Sequence, residues 1–339
     1  MARTSSGRGM PAWAPGLVAA VAAAAEAART AAGALRRTGA RRQLAAAIMN
    51  VAEALLQAGD WDTASAELTP DVDSDALPDV EDLAVERGWL AALRGDHGAA
   101  RDVLSSLGDI RANEDPQTIA VIGVLEAFAA AARRQPADAL RHARTVLAHA
   151  EAIGISNIYP RWAWPLAVRS AHELADTTAV RDLLAFLDAY QPGYLAPMLQ
   201  AERDLVRARL AAADGDATAA ASFTAAIKSL RELSTPYHLA HGLLDHAQYL
   251  AAAAASGSPA ASGSPAAPGS PAASGSPAAS GSPAASSSAA NAETAVAAIA
   301  EARDIAGRLR CQPLLDRADA LTPRDPVTAT PQDSPRALR

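Results

Sequence analysis

Apolar residues recur every three or four positions along most of this 339-residue chain, the spacing of amphipathic α-helices. Short polar turns interrupt the helical spacing, and three of them are Gly59-Asp60, Gly95-Asp96 and Gly215-Asp216. Two further turns lack glycine and lie near Gln135-Pro136 and Asp176. Successive turns are 36 to 41 residues apart. This period predicts an all-α fold of stacked helix pairs, in which each pair buries its apolar face only against its neighbours.

The residues around each turn predict how the paired helices meet. Glycine can adopt the positive φ angle that ends a helix, and the aspartate after it can cap the next helix. Small residues stand seven positions before each turn glycine and five positions after it, which allows the two helices to approach closely. The repeat-packing positions are Ala52, Gly88 and Ala208 before the turns, Ala64, Ala100 and Ala220 after them, the turn glycines Gly59, Gly95 and Gly215, and the aromatic Trp61.

These small residues, the turns and Trp61 together resemble the tetratricopeptide repeat over about residues 41–321. The resemblance implies a tetratricopeptide-like α-solenoid of about five to six antiparallel helix pairs. A solenoid of this class is expected to bind a protein or a peptide on its concave face. Because both ends of the array are imperfectly capped, self-association through the array ends is a second expectation.

Two segments near the end of the chain carry a narrower resemblance. Residues 229–251 and 295–321 resemble the C-terminal part of actinobacterial signalling proteins that join an adenylate/guanylate cyclase domain, an ATPase domain and a repeat array. Related arrays occur in LuxR-type ATPase regulators. The resemblance implies a non-enzymatic interaction or regulatory module, detached or truncated from such a protein, with no catalytic residue carried over. The alternative is the sensor part of a cyclase or of an ATP-binding transcriptional regulator, with nucleotide-related activity in segments outside this chain.

One low-complexity segment interrupts the array. The hexad Ser-Gly-Ser-Pro-Ala-Ala occurs five times between residues 256 and 285, with one substitution. Proline at every sixth position blocks a continuous helix, and serine and glycine offer no face to bury. We therefore expect a flexible N-terminus over residues 1–15, a helical array over 16–321 with a disordered insertion over 253–290, and a disordered tail over 322–339. A neutral insertion and a binding or modification role both remain open for the hexads.

Composition and charge exclude several classes of function. Hydrophobic residues make up 50% of the chain but aromatic residues only 4%, and the difference is largely alanine, which favours closely packed helices. The net charge of −7 argues against a nucleic-acid partner. Lys228 is the single lysine and follows no glycine-rich turn, so a P-loop is excluded. With Cys311 as the single cysteine, a multi-thiolate zinc site is excluded as well. We expect no enzymatic activity and no cofactor.

The N-terminal region does not predict membrane insertion. The apolar run from Leu17 to Ala25 is followed by Glu26 and Arg29 at helical spacing, and it is shorter than the roughly 20 residues that span a bilayer. We expect no membrane partner and a cytoplasmic location. The arginines at 36, 37, 41 and 42 are interpreted as a solvated helix end, with an anionic partner or nucleic acid as the alternative.

The candidate ligand-binding residues are His238, His241 and Asp245. Their spacing of three and four residues places them on one face of a helix. Three roles are open: polar residues of a packed helix, a zinc site, or a ligand contact on the concave face. Trp162 and Trp164 are separated by one residue and point about 200° apart on a helix, which favours core packing over a single peptide-binding clamp.

Overall fold

A computed structural model describes residues 15–69, 80–108, 110, 113–191, 193–256 and 283–322. Within these ranges the chain forms helices and no β-strand, which confirms the all-α prediction. The helices are α1 (Pro15–Thr38), α2 (Arg41–Ala58), α3 (Trp61–Glu67), α4 (Val80–Arg94), α5 (His97–Ser106), α6 (Pro116–Ala132), α7 (Pro136–Ala148), α8 (Ala150–Ile153), α9 (Ile158–Glu173), α10 (Thr177–Asp188), α11 (Pro197–Ala213), α12 (Ala219–Leu233), α13 (Pro236–Ser256), α14 (Pro283–Leu309) and α15 (Gln312–Leu321). Most helices that follow each other in the sequence pack together.

The first two Gly-Asp turns have both features that the sequence predicts. Gly59 has a φ of 81°, and the side chain of Asp60 accepts a hydrogen bond of 3.2 Å from the backbone N–H of Thr63. The Gly95-Asp96 turn repeats this arrangement, with a φ of 86° at the glycine and a 3.0 Å bond from the N–H of Ala99. Each turn therefore ends one helix and caps the next.

The third Gly-Asp turn differs from the other two. Gly215 has the expected positive φ of 72°, but α12 begins only at Ala219. The side chain of Asp216 accepts bonds of 2.8 and 2.9 Å from the N–H and hydroxyl groups of Thr218. This local turn competes with the start of the helix, so the prediction that Asp216 caps α12 is wrong.

The turns without glycine use the same left-handed conformation. Arg134 has a φ of 57° between α6 and α7, and Ala175 has a φ of 55° between α9 and α10. A further turn, between α14 and α15, places Arg310 at a φ of 52°. The chain thus repeats one turn geometry in places where the residue present carries a Cβ atom.

The predicted packing positions lie where helices approach each other. A Cβ atom on Gly88 would lie 3.0 Å from Cβ and Cγ1 of Val103 on α5, so a side chain there would press against the paired helix. Trp61 is buried and its Nε1 donates a 3.0 Å hydrogen bond to the carbonyl oxygen of Leu56. Four of the predicted alanines are buried and one is half-buried: Ala52, Ala64, Ala100 and Ala208 belong to the first group, and Ala220 is the last.

Helix α9 runs through the centre of the core, and its residues 158 to 171 are nearly all buried. Trp162 stacks on Tyr237 of α13, with ring centroids 5.4 Å apart. Trp164 points the other way and donates a 2.8 Å hydrogen bond from Nε1 to the carbonyl oxygen of Leu183 on α10. Both tryptophans are fully buried, which confirms the core-packing interpretation.

Helix α15 and the turn before it pack against α3 and α4. The thiol of Cys311 donates to the carbonyl oxygen of Leu93 at a distance of 3.1 Å, across 218 positions of sequence. Arg310 forms a 2.7 Å ion pair with Asp62 of α3. Pro313 of α15 lies against Gly95, where an added Cβ would approach it to 3.0 Å. The prediction that each pair contacts only its sequence neighbours is therefore wrong.

The helices also extend into the predicted insertion. Helix α13 continues to Ser256 and α14 begins at Pro283, so residues 253–256 and 283–290 of the expected insertion are helical. Alanine supplies most of these added helical positions and has the highest helix propensity. Residues 257–282, together with 1–14 and 323–339, lie outside the described residues. No helix in the described ranges combines the length and the apolar character that crossing a membrane requires.

Candidate functional site

The contact between α15 and α4 borders a cleft of about 340 Å³. Helices α4, α6, α9, α13 and α15 contribute its walls. The apolar part of the lining includes Phe128, Leu166 and Pro313. Its charged side chains are Arg134, Arg169, Glu173, Asp316 and Arg317. The volume lies in the range of about 300 to 1,000 Å³ that is typical of small-molecule sites.

The predicted ligand-face residues lie next to this cleft, but only one of them lines it. His241 lines the cleft, and its Nδ1 is 3.1 Å from Nη1 of Arg317. His238 is fully buried, 2.7 Å from the hydroxyl of Thr235, and its ring meets that of Trp162 edge-on at 4.6 Å. Burial, followed by the charge of Arg169, lowers the pKa of both histidines well below their usual value.

Asp245 is the centre of an ionic cluster. It is 5% exposed and accepts a 3.1 Å hydrogen bond from Arg209 of α11 and a second bond from Arg317 of α15. Burial raises the pKa of this carboxyl, but the charges of Arg209 and Arg317 outweigh it, so that the pKa lies below its ordinary value. Asp245 therefore joins α11, α13 and α15 as an ionised structural group.

A second buried ion pair extends the cluster. Nη1 of Arg169 on α9 lies 3.8 Å from Oε1 of Glu202 on α11, and both side chains are nearly inaccessible to solvent. The guanidinium carbon of Arg169 also lies 5.7 Å from the ring centroid of Tyr237. Burial raises the pKa of Glu202 to about 7, although the charge of Arg169 opposes this shift. The buried cluster thus holds three guanidinium groups, those of Arg169, Arg209 and Arg317, against two carboxyl groups.

Sequence reasoning missed Arg169, Glu202, Arg209 and Arg317. Each lies at a helical position that reads as part of an ordinary amphipathic pattern. Arg317 and Asp245 are 72 positions apart, and nothing in a single sequence pairs α15 with α13. The one local signal is a charged residue within an otherwise apolar helix face, because burying a charge is costly unless it is paired.

Two smaller cavities lie elsewhere. One of about 200 Å³ lies between α9, α10 and α11 and is lined by Val168, Val180 and Arg209. The other, of about 80 Å³, is bordered by Gln57, Arg161 and Ser234. Neither brings together more than one charged side chain, so the cleft beside α15 has the richest chemistry of the three.

The thiol of Cys311, near the cleft, is held in its protonated form. Burial raises the pKa of the Cys311 thiol to about 12, so the nucleophilic thiolate is not populated at neutral pH. Within the described ranges, histidine, cysteine and carboxylate side chains form no group of three that could hold a metal ion. What the cleft offers chemically is positive charge beside an apolar wall.

No known protein family model matches this sequence, and no curated protein matches it.

Proposed function

We propose that this chain is a non-enzymatic regulatory module that binds a protein partner through stacked helix pairs. We further propose that the module is a tetratricopeptide-like solenoid and a detached or truncated C-terminal part of a signal-transduction ATPase or cyclase. The observation that carries the proposal is the repeated helix–turn–helix geometry, in which turns at Gly59, Gly95, Arg134, Ala175 and Gly215 recur with positive φ. Repeats of this kind characteristically present an ordered binding surface.

We place the partner at the rim of the cleft rather than along an open concave face. Tyr237 of α13 packs against Trp61 of α3 and Trp162 of α9, so α13 already covers helix faces that an open concave surface would leave free. The rim offers the exposed Arg134 in the turn between α6 and α7, beside Asp316 of α15 at 3.8 Å. A partner seated there would contact α15 and the turn between α6 and α7 at once.

The test is partner capture with a matched pair of charge reversals. The full chain, Arg134→Glu and Arg144→Glu are each used to recover proteins from a lysate of the native host. Arg144 is exposed on α7 and does not line the cleft. We expect one specific partner that is recovered by the full chain and by Arg144→Glu, and at least about tenfold less by Arg134→Glu, because a rim charge contributes to association. Recovery of no specific partner, or equal recovery by both variants, would contradict the proposal.

The second candidate is a sensor part of a nucleotide-linked signalling protein. The observation that favours it is the presence of Arg134, Arg169 and Arg317 in one cleft, because arginine recognises phosphate groups well. Titrating ATP against the purified chain separates the two candidates. Binding in the micromolar range favours the sensor, and a flat titration favours the protein-interaction module.

A further inference from the structure

We propose that the cleft between α4, α6, α9, α13 and α15 binds a small organic carboxylate, with its charged end toward Arg169 and its apolar body against Phe128 and Leu166. This goes beyond the proposed function because it requires no protein partner.

The first support is an incompletely paired guanidinium. Arg169 lines the cleft and is 7% exposed, yet its Nη2 has no hydrogen-bond partner among the described residues. The carboxyl oxygen of Glu202 nearest to Nη1 is 3.8 Å away, which exceeds hydrogen-bond distance. A guanidinium has five N–H donors, and buried donors are normally paired. Because Arg169 lines the cleft, an oxygen acceptor there would give this guanidinium an additional partner.

The second support is the charge balance around Arg169. The other two guanidinium groups of the cluster, on Arg209 and Arg317, share Asp245. Glu202 is the remaining carboxyl, and burial raises its pKa to about 7, so it is only partly ionised at neutral pH. The buried cluster around Arg169 is therefore short of negative charge, which favours an anion beside this guanidinium.

The lining also selects the kind of anion. The arginines that favour the second candidate are opposed by Glu173 and Asp316, which line the same cleft and whose negative charge disfavours a multiply charged phosphate. Asp316 is paired with Arg134, and His241 contributes a neutral ring beside Arg317. A single carboxylate matches the planar fork of one guanidinium, and Phe128 with Leu166 can bury an apolar body next to it.

Calorimetric titration of the full chain with benzoate, benzamide and inorganic phosphate tests the proposal. We expect benzoate to bind with a Kd of about 1 mM, as is usual for a probe of this size. Benzamide has the same shape without the charge and is expected to bind at least about tenfold more weakly, because it loses a charge-assisted hydrogen bond. Phosphate has the charge without the apolar body and is expected to bind at least about tenfold more weakly as well.

Two variants locate the binding site. Ala320→Trp fills the cleft from the exposed side of α15 and should abolish benzoate binding, whereas Ala300→Trp, on an exposed position of α14, should leave it unchanged. Arg169→Gln should remove the preference for benzoate over benzamide. If this variant does not fold, the loss of benzoate binding in Ala320→Trp tests the site instead. Equal affinity for benzoate and benzamide, no binding at about 10 mM benzoate, phosphate binding as tight as benzoate, or retained binding in Ala320→Trp would each overturn the proposal. Because no partner protein is present, this outcome is independent of the capture experiment.

Discussion

Residues with a Cβ atom occupy left-handed positions at turns that glycine would occupy without strain. In the described residues these are Arg134, Ala175 and Arg310, with φ angles of 57°, 55° and 52°. The left-handed conformation costs roughly 1–2 kcal/mol for an L-residue other than glycine. The surrounding helices hold these turns with the same backbone hydrogen bonds that the glycine turns have. The N–H of Asp176 donates to the carbonyl oxygen of Ala171, just as the N–H of Asp96 donates to the carbonyl oxygen of Ala91.

Replacing Ala175 by glycine should therefore stabilise the protein. The relieved backbone strain outweighs the entropic cost of glycine's greater freedom in the unfolded chain. The free energy of unfolding should therefore rise by about 0.5–1 kcal/mol. The matched control is Ala189→Gly, at an exposed helix end with a φ of −72°, which should instead lose about 0.5 kcal/mol. Urea denaturation of both variants measures the difference, and a loss of stability in Ala175→Gly would show that the turn is not strained.

Helices α13 and α15 connect parts of the chain that are far apart in sequence. The turn at Gly59 packs under the start of α13, where an added Cβ would lie 2.7 Å from Cγ of Pro236. The turn at Gly95 packs under α15 in the same way. The glycine turns of the first two pairs therefore serve a second purpose, as close-approach sites for the last helices.

A comparison of two glycine substitutions separates these two purposes. Gly59→Ala and Gly215→Ala both introduce a Cβ at positive φ, but Gly215 has open space around it. We expect Gly215→Ala to lower the free energy of unfolding by about 1–2 kcal/mol from backbone strain alone. Gly59→Ala should lose about 1–3 kcal/mol more, because the ring of Pro236 has to move. Equal losses, measured by thermal or urea denaturation, would mean that α13 does not rest on this turn.

The buried ionic cluster links α9, α11, α13 and α15 through the middle of the molecule. Each of its charges costs desolvation energy on folding, which the ion pairs offset only in part. Glu202 illustrates this cost, because burial raises its pKa from the ordinary value of 4.5 to about 7 even though Arg169 is nearby. Glu53 on α2 shows the same direction of shift from burial. The stability of the whole molecule should therefore depend on pH.

Glu202→Gln should remove part of that dependence. When the pKa of a carboxyl is raised in the folded state, its protonation stabilises the fold. This contribution is fully present below the unfolded pKa of 4.5 and is lost as the pH rises through about 7. Between these limits the native chain should lose about 3 kcal/mol of unfolding free energy relative to Glu202→Gln. The buried histidines shift stability in the opposite direction and are common to both proteins, so they cancel in the comparison. Urea denaturation at several pH values measures the difference in unfolding free energy between the native chain and Glu202→Gln, with the exposed Glu232→Gln as the control. A difference that stays constant with pH would contradict the raised pKa of Glu202.

The helical class, the turn positions and the small residues at the paired helices could all be predicted from residue pattern. These features are local: helix periodicity, glycine at positive φ and aspartate caps depend on residues within a few positions of each other. The pattern failed at Asp216, where a bond to the neighbouring Thr218 outcompeted the helix cap. It failed again at the hexad boundaries, where alanine extended α13 and α14.

The cleft and its charged cluster could not be predicted in this way. His238, His241 and Asp245 share one helix face in the sequence, but whether that face is open or covered depends on α15, about 70 positions later. Because α15 covers this face of α13, Asp245 is a buried partner of Arg209 and Arg317, and Arg169 lies on the wall of a cleft. Contacts between distant helices are chosen by the shape and burial of complete surfaces, and these surfaces exist only once the helices are packed.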